Sequence, residues 1–299
     1  MNTIPIIKKI GYIYIIYNIL YFLETKKIKA QSDNMERMPT GIENLDKKIG
    51  GGYPRGKGIL VTGVPGAGKT IFGLHFLHKS CMDGKNCVMV ATEETPEDLL
   101  EQAAMLGLGL DSFIEKGNLH IKPVIEFRTG GMARDAKLTD DFSDTEIDII
   151  EESGLDRTIR PDQTGFNIEE IDLLDIFRLI PEGTEVAVID NIGVLAFGLT
   201  TKEFRDKFDT LNRLLAKQNT TTLHIMDEAA YEMTHKIADY STYGAVKLFV
   251  KENPYTGNNE RFLSIPKMRS TKISLDVNVF DITAAGIKIK GSKGKLVEI

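Results

Sequence analysis

Between a strand-like run at residues 58–62 and a helix-like run at residues 71–79 lies the octapeptide Gly63-Val64-Pro65-Gly66-Ala67-Gly68-Lys69-Thr70. It satisfies the phosphate-binding loop pattern G-x-x-x-x-G-K-[ST] in full. The flanking order is what the pattern requires, because the loop must deliver backbone N–H groups to a phosphate at a helix N-terminus. Gly66 and Gly68 permit backbone conformations and close approach that a Cβ would obstruct. In such a loop the lysine, here Lys69, reaches the β- and γ-phosphates, and the hydroxyl, here Thr70, is a ligand for Mg²⁺. The competing reading is a glycine-rich turn with a chance lysine, and both the pattern and its context speak against it.

The rest of the chain alternates strands with helices, which predicts an α/β domain built on a mostly parallel sheet flanked by helices. Helices are expected at residues 40–49, 71–82, 96–106, 168–179 and 202–217, the last with Phe204, Phe208, Leu211, Leu214 and Leu215 on one side. Strands are expected at residues 87–91, 119–121, 186–190 and 221–226. The C-terminal part turns to β structure. Residues 245–250 and 261–268 flank the turn-rich segment 253–259 and read as a hairpin, with further strands at 277–282 and 287–289.

Three segments stand apart from this rhythm. Residues 1–34 form an apolar N-terminal extension whose core, residues 10–23, is flanked by Lys8, Lys9, Lys26, Lys27 and Lys29. That run is short for a bilayer span and no small-residue cleavage site follows it. It reads as sequence upstream of a true start at Met35, as a membrane tether, or as an extra strand or helix. Residues 127–165 carry Asp135, Asp140, Asp141, Asp144, Glu146, Asp148, Glu151, Glu152 and Asp156 against few basic residues, and read as an acidic surface insertion within a domain spanning 35–290. Residues 291–299 are a short basic tail.

A net charge of −6 and a pI near 5.5 argue against a constitutive nucleic-acid coat, although local contact with nucleic acid stays open. The two cysteines, Cys81 and Cys87, have no metal-site spacing and are expected to be reduced and buried in a cytoplasmic protein.

Two further places can carry chemistry. Asp190 ends the apolar run Val186-Ala187-Val188-Ile189, and a carboxylate at the end of a buried parallel strand beside a phosphate loop is placed to hold Mg²⁺ through water. The alternative is an aspartate that begins a turn. Glu93 and Glu94 end the run Val88-Met89-Val90-Ala91, where one of them can orient an attacking water. Acids just before a helix are also explained by its dipole, and that explanation suits Glu97 and Asp98 better.

Several of these motifs recur in a recognisable order. Residues 38–46 (MPTGIENLD), residues 50–56 (GGGYPRG), the phosphate loop, residues 93–99 (EETPEDL), Lys267-Met268-Arg269-Ser270-Thr271, and Phe280-Asp281-Ile282-Thr283 with Gly286-Ile287 together resemble a KaiC-type domain of the RecA-like ATPases. The likeness covers about residues 38–290 apart from the acidic insertion. It implies a RecA-like P-loop core with a C-terminal β-hairpin extension, assembled as a homo-oligomer, commonly a hexameric ring, with ATP and Mg²⁺ between subunits. By position it implies catalytic carboxylates at Glu93 and Glu94, the Walker B acid at Asp190, and Lys267 and Arg269 reaching the γ-phosphate held by a neighbouring subunit. Without the resemblance Lys267 and Arg269 read as exposed charges on one face of an edge strand.

The chain also departs from the family's clock proteins. It has one such domain where they have two, and it has Ile225-Met226-Asp227 where they end a strand with paired threonines and a glutamate. Met226 offers no hydroxyl, so circadian function is not carried over. The leading expectation is a slow, ring-forming ATPase whose nucleotide state controls an unidentified protein partner. A recombinase-like DNA-binding ATPase is the second reading. An autokinase using the hydroxyl pair Ser241-Thr242 is the third, although such pairs are common in turns.

Overall fold

The computed structural model describes residues 35–124, 172–228, 232–253 and 257–292. The N-terminal extension, the acidic insertion and most of the basic tail lie outside the described residues.

In chain order the strands are β1 (Arg37–Met38), β2 (Tyr53–Pro54), β3 (Gly58–Gly63), β4 (Cys87–Ala91), β5 (Leu119–Pro123), β6 (Val186–Asp190), β7 (Thr221–Asp227), β8 (Gly244–Glu252), β9 (Asn259–Met268), β10 (Asn278–Thr283) and β11 (Gly286–Ser292). The helices are α1 (Glu43–Lys48), α2 (Lys69–Met82), α3 (Pro96–Met105), α4 (Asp111–Glu115), α5 (Asp175–Arg178), α6 (Thr201–Lys217) and α7 (Glu232–Ser241). Strands β3 to β11 form one nine-stranded sheet in the order β11-β10-β9-β8-β3-β7-β6-β4-β5. From β8 to β5 the neighbours run parallel, while β9, β10 and β11 continue the sheet antiparallel. The α/β class, the mostly parallel sheet and the C-terminal β extension are all as expected from sequence.

The apolar runs are continuous because the central strands are buried on both faces. Alternation then sorts their side chains. Ile59, Val61, Cys87, Met89, Val186 and Val188 enter one core with α1 to α4, whereas Leu60, Val88, Val90, Ala187 and Ile189 enter a second core with α5 to α7. Both cysteines are free and buried.

Helix α2, which starts inside the phosphate loop, is apolar on most of its surface because it is covered twice. The sheet lies under it, and the C-terminal strands curl over it. Phe280 of β10 meets Phe72 edge-on with ring centroids 5.9 Å apart, and Tyr53 meets Phe76 at 5.0 Å. Such ring pairs add about 0.5–1.5 kcal/mol beyond the burial itself. The N–H of Ile287 donates to His75 Nε2 at 2.9 Å. Gly286 has φ +80°, and a Cβ there would sit 2.2 Å from His75 Nε2, so the turn from β10 to β11 needs glycine on both counts.

Capping explains where the other helices begin. Thr95 caps α3, with Pro96 in its first turn. Thr200 and Glu203 form a reciprocal capping box on α6, whose buried stripe is Phe204, Phe208, Leu211 and Leu215. The helix expected over residues 168–179 is confined, among the described residues, to the single turn of α5. Helices α4 and α7 were not expected from sequence.

Among the described residues no helix is long and apolar enough to cross a membrane. The run at residues 10–23 lies outside them.

Candidate functional site

The phosphate loop leaves the carboxyl end of β3 and turns into α2. Gly68, with φ +100°, precedes the first helical residue, and a Cβ on it would come within 2.8 Å of Ile282 Cδ1. The first N–H groups of α2 have no intrahelical acceptor, so they point out of the helix end as donors for an anion. Pro65 and Gly66 are exposed at the loop tip, while Ala67 and Lys69 are buried. The Lys69 ammonium donates to the carbonyl of Val64 at 3.1 Å and forms an ion pair with Asp227.

Strand order brings the other acids to this loop. Parallel strands β3, β7, β6 and β4 are successive neighbours, so their carboxyl ends lie along one edge of the sheet, where ligands bind in open α/β folds. Asp190 ends β6, Asp227 ends β7, and Glu93 and Glu94 follow β4 within two or three residues. The hydroxyl of Thr70 donates to Asp190 Oδ2 at 2.7 Å. These residues line one cavity of about 170 Å³ with Pro65, Gly66, Lys69 and Leu99.

Four carboxylates therefore share the cavity with the single ammonium of Lys69. The strain falls on Asp190, whose pKa is pushed up to about 7. Burial is the main cause, opposed by the Thr70 hydrogen bond; the nearby Glu94 and Glu93 raise it further, and Lys69 opposes them. A hydroxyl oxygen and a carboxylate oxygen in contact are hard ligands that suit Mg²⁺. Among the described residues no group of three or more His, Cys, Asp or Glu converges to hold a metal unaided.

The two glutamates differ in their partners. Glu93 Oε2 accepts from Asn191 Nδ2 at 3.1 Å, and the same nitrogen donates to Asp227 Oδ2 at 2.9 Å. Glu94 instead accepts from the side-chain amide of Gln102 on α3. Asn191, Asp227 and Gln102 were not singled out from sequence. Asp227 carried a usable signal, since it closes a buried strand at the same sheet edge as Asp190. Met226 is fully buried in the second core.

Lys267 and Arg269 are not brought to the phosphate loop of their own chain. Met268 pairs with Gly244, which in turn pairs with Ile59 at the amino end of β3, whereas Gly63 at the loop pairs with Leu248. Four residue steps of β3, roughly 13 Å at the rise of an extended strand, lie between the two places. Lys267 donates to the carbonyl of Asp239 and pairs with its carboxylate at 3.5 Å, while Arg269 donates to the carbonyl of Tyr240 at 3.0 Å. Both cations thus sit on the C-terminal turn of α7, where carbonyl groups attract positive charge. Arg269 also borders a larger cleft of about 560 Å³ with Lys57, Arg213 and Tyr243. The glycine-rich loop and the strand-end acids converge on the smaller cavity.

A family model described as "ATPase: KaiC" matches residues 38–294. A UPF0273 protein of Methanopyrus kandleri is 27% identical over 263 residues, which cover 87% of this chain and 94% of that protein. The circadian clock oscillator protein KaiC of Parathermosynechococcus lividus is 24% identical over 275 residues, 91% of this chain but 44% of its own length. This chain therefore spans less than half of that clock protein. The crystal structure of a KaiC-like protein from Pyrococcus horikoshii superposes with a TM-score of 0.63 at 24% identity, covering 86% of this chain and 100% of that one. At that identity the superposition speaks for the fold alone.

Proposed function

Because the chain belongs to the KaiC ATPase family, we propose that it binds Mg-ATP at the phosphate loop and hydrolyses it slowly in the cytoplasm, at interfaces between copies in a ring, commonly hexameric. Its nucleotide state would control a protein partner. The observation that carries this reading is the contact of Thr70 with Asp190 in a cavity that also holds Lys69, Glu93 and Glu94.

In this reading the N–H groups from Gly66 to Thr70, with Lys69, hold the β- and γ-phosphates. Thr70 and Asp190 would hold Mg²⁺, and the chemistry such an ion would supply is neutralisation of charge on the phosphate oxygens. Glu93 and Glu94 supply the carboxylate that orients and polarises the attacking water. Two features support a site shared between copies. The cavity of about 170 Å³ is smaller than the roughly 300–1,000 Å³ of a small-molecule site, which leaves the base and ribose on the surface beside the exposed Pro65 and Gly66. Lys267 and Arg269 lie at the far end of the sheet, so they meet a phosphate only on another copy. A cation delivered to the developing charge lowers the barrier.

The test is phosphate release by the full chain, with light scattering to read assembly with and without Mg-ATP. Turnover that disappears in Lys69→Ala and in the double variant Glu93→Gln with Glu94→Gln is expected, from a species larger than a monomer. A protein that binds ATP without turnover above background would reduce the reading to a binding switch. A monomer under both conditions would remove the contribution of Lys267 and Arg269.

A further inference from the structure

We infer that Asn191 is a positioning residue that aims Glu93, and not Glu94, at the attacking water; the inference rests on the hydrolysis reading above. Asn191 follows the strand-end acid Asp190 and is only 4% exposed. Its backbone is clamped to the end of β4. The Asn191 N–H donates to the Thr92 hydroxyl at 2.7 Å, that hydroxyl donates to the Asn191 carbonyl at 3.1 Å, and the Thr92 N–H donates to the Asp190 carbonyl at 2.7 Å.

The side-chain amide is fixed just as firmly. The N–H of Gly193 donates to Asn191 Oδ1 at 2.9 Å, which decides which end of the amide is oxygen. Nδ2 must then face the cavity. It has two hydrogens and two acceptors, Glu93 Oε2 at 3.1 Å and Asp227 Oδ2 at 2.9 Å. One amide thus ties together the ends of three neighbouring strands, β4, β6 and β7.

The consequence for Glu93 is both geometric and electrostatic. Its side chain is exposed and, unheld, would explore many rotamers. Held through Oε2, it keeps Oε1 as the acceptor for a water. The shared donor also separates Glu93 from Asp227, two like charges that would otherwise repel. Asp227 is in turn paired with Lys69. The phosphate-binding lysine and the water-facing glutamate are therefore joined through Asp227 and Asn191. Glu94 has no part in this chain of contacts, since its partner is Gln102 on α3.

Asn191→Asp separates positioning from mere folding. Aspartate keeps the shape and the acceptor for Gly193 but loses the donating NH₂ and sets a further carboxylate against Glu93 and Asp227, so Asn191→Ala, which adds no charge, is measured beside it. Steady-state hydrolysis, calorimetric binding of a non-hydrolysable Mg-ATP analogue and thermal melting of the full chain would be compared. A positioning role gives a kcat lower by about tenfold to 100-fold in both variants, the scale of losing a hydrogen bond to a charged group, with KM and analogue affinity within about threefold in Asn191→Ala. Should Asn191→Asp fail to fold, Asn191→Ala reads the same split between kcat and KM. Wild-type kcat in either variant, or loss of analogue affinity in step with kcat in Asn191→Ala, overturns the inference while leaving the hydrolysis reading in place. A wild-type chain without turnover overturns both.

Discussion

The Thr70 hydroxyl donates to Asp190 Oδ2 at 2.7 Å, joining the first turn of α2 to the end of β6. This is the contact that a cation held by both oxygens would replace, and it sets the first prediction. Thr70→Ala should raise the Mg²⁺ concentration needed for half-maximal turnover by about tenfold, because one oxygen ligand is lost. Asp190→Asn should lower turnover by about 100-fold or more, since the charge that holds the ion is removed. Phosphate release measured across a Mg²⁺ titration checks both. An unchanged Mg²⁺ dependence in Thr70→Ala would remove that hydroxyl from the metal site.

Glu93 and Glu94 are neighbours in sequence with different partners, so their variants should differ. Glu93→Gln is expected to reduce kcat by about 100-fold or more, as removal of a general base does. Glu94→Gln should reduce it by about tenfold. Its carboxylate is tied to α3 by Gln102, and its neutralisation acts through the field at Asp190. Single-turnover rates at saturating Mg-ATP separate these effects from nucleotide binding. The reverse order of the two losses would move the water-polarising role to Glu94.

If Lys267 and Arg269 serve a neighbouring copy, two inactive variants should rescue each other. Lys69→Ala lacks the phosphate-binding lysine but keeps both cations at the end of β9. A chain carrying Lys267→Ala with Arg269→Ala keeps the loop. In mixed rings about a quarter of the interfaces would pair an intact loop with an intact pair of cations, given random head-to-tail assembly. Turnover should then recover to about that fraction after subunit exchange. Mixed assemblies that remain inactive would exclude a contribution in trans.

The parts of the site that were legible in the sequence are those announced by local pattern. The phosphate loop is contiguous, Asp190 closes one short apolar run expected as a strand, and Glu93 and Glu94 follow another. Asn191, Asp227 and Gln102 were not legible because their roles depend on which strands are neighbours. That order places β7 beside β6 and β6 beside β4, and depends on long-range packing. Helix α7 was overlooked because it buries only Ile237 and Ala238, too weak a stripe to recognise in ten residues. Residues 261–268 do lie in a strand, but β9 is flanked by β8 and β10 and is not a sheet edge, Lys267 is half-buried, and Arg269 follows the strand. The carbonyls of α7 that Lys267 and Arg269 meet could not be foreseen without that helix.

Two buried histidines should make the fold acid-sensitive. His75, on α2, accepts the Ile287 N–H at Nε2 and so is neutral; its pKa is lowered to about 4, mainly by burial, with His78 adding to the effect. His224 lies in β7 with its ring 5.0 Å from that of Phe208, and burial lowers its pKa to about 3. The unfolded chain binds these protons near pH 6.5, whereas the folded chain does not until about pH 4 for His75 and about pH 3 for His224. Between those limits the unfolded state holds more protons, so stability falls as the pH drops below 6.5 and is undiminished above it. At pH 5 each histidine should account for about 2 kcal/mol of lost stability. His75→Gln keeps an acceptor for Ile287 and does not titrate, so its melting temperature should fall less between pH 7.5 and pH 5 than that of the wild type. Parallel melting curves for the two proteins over that range would show that His75 titrates alike in the folded and unfolded chains.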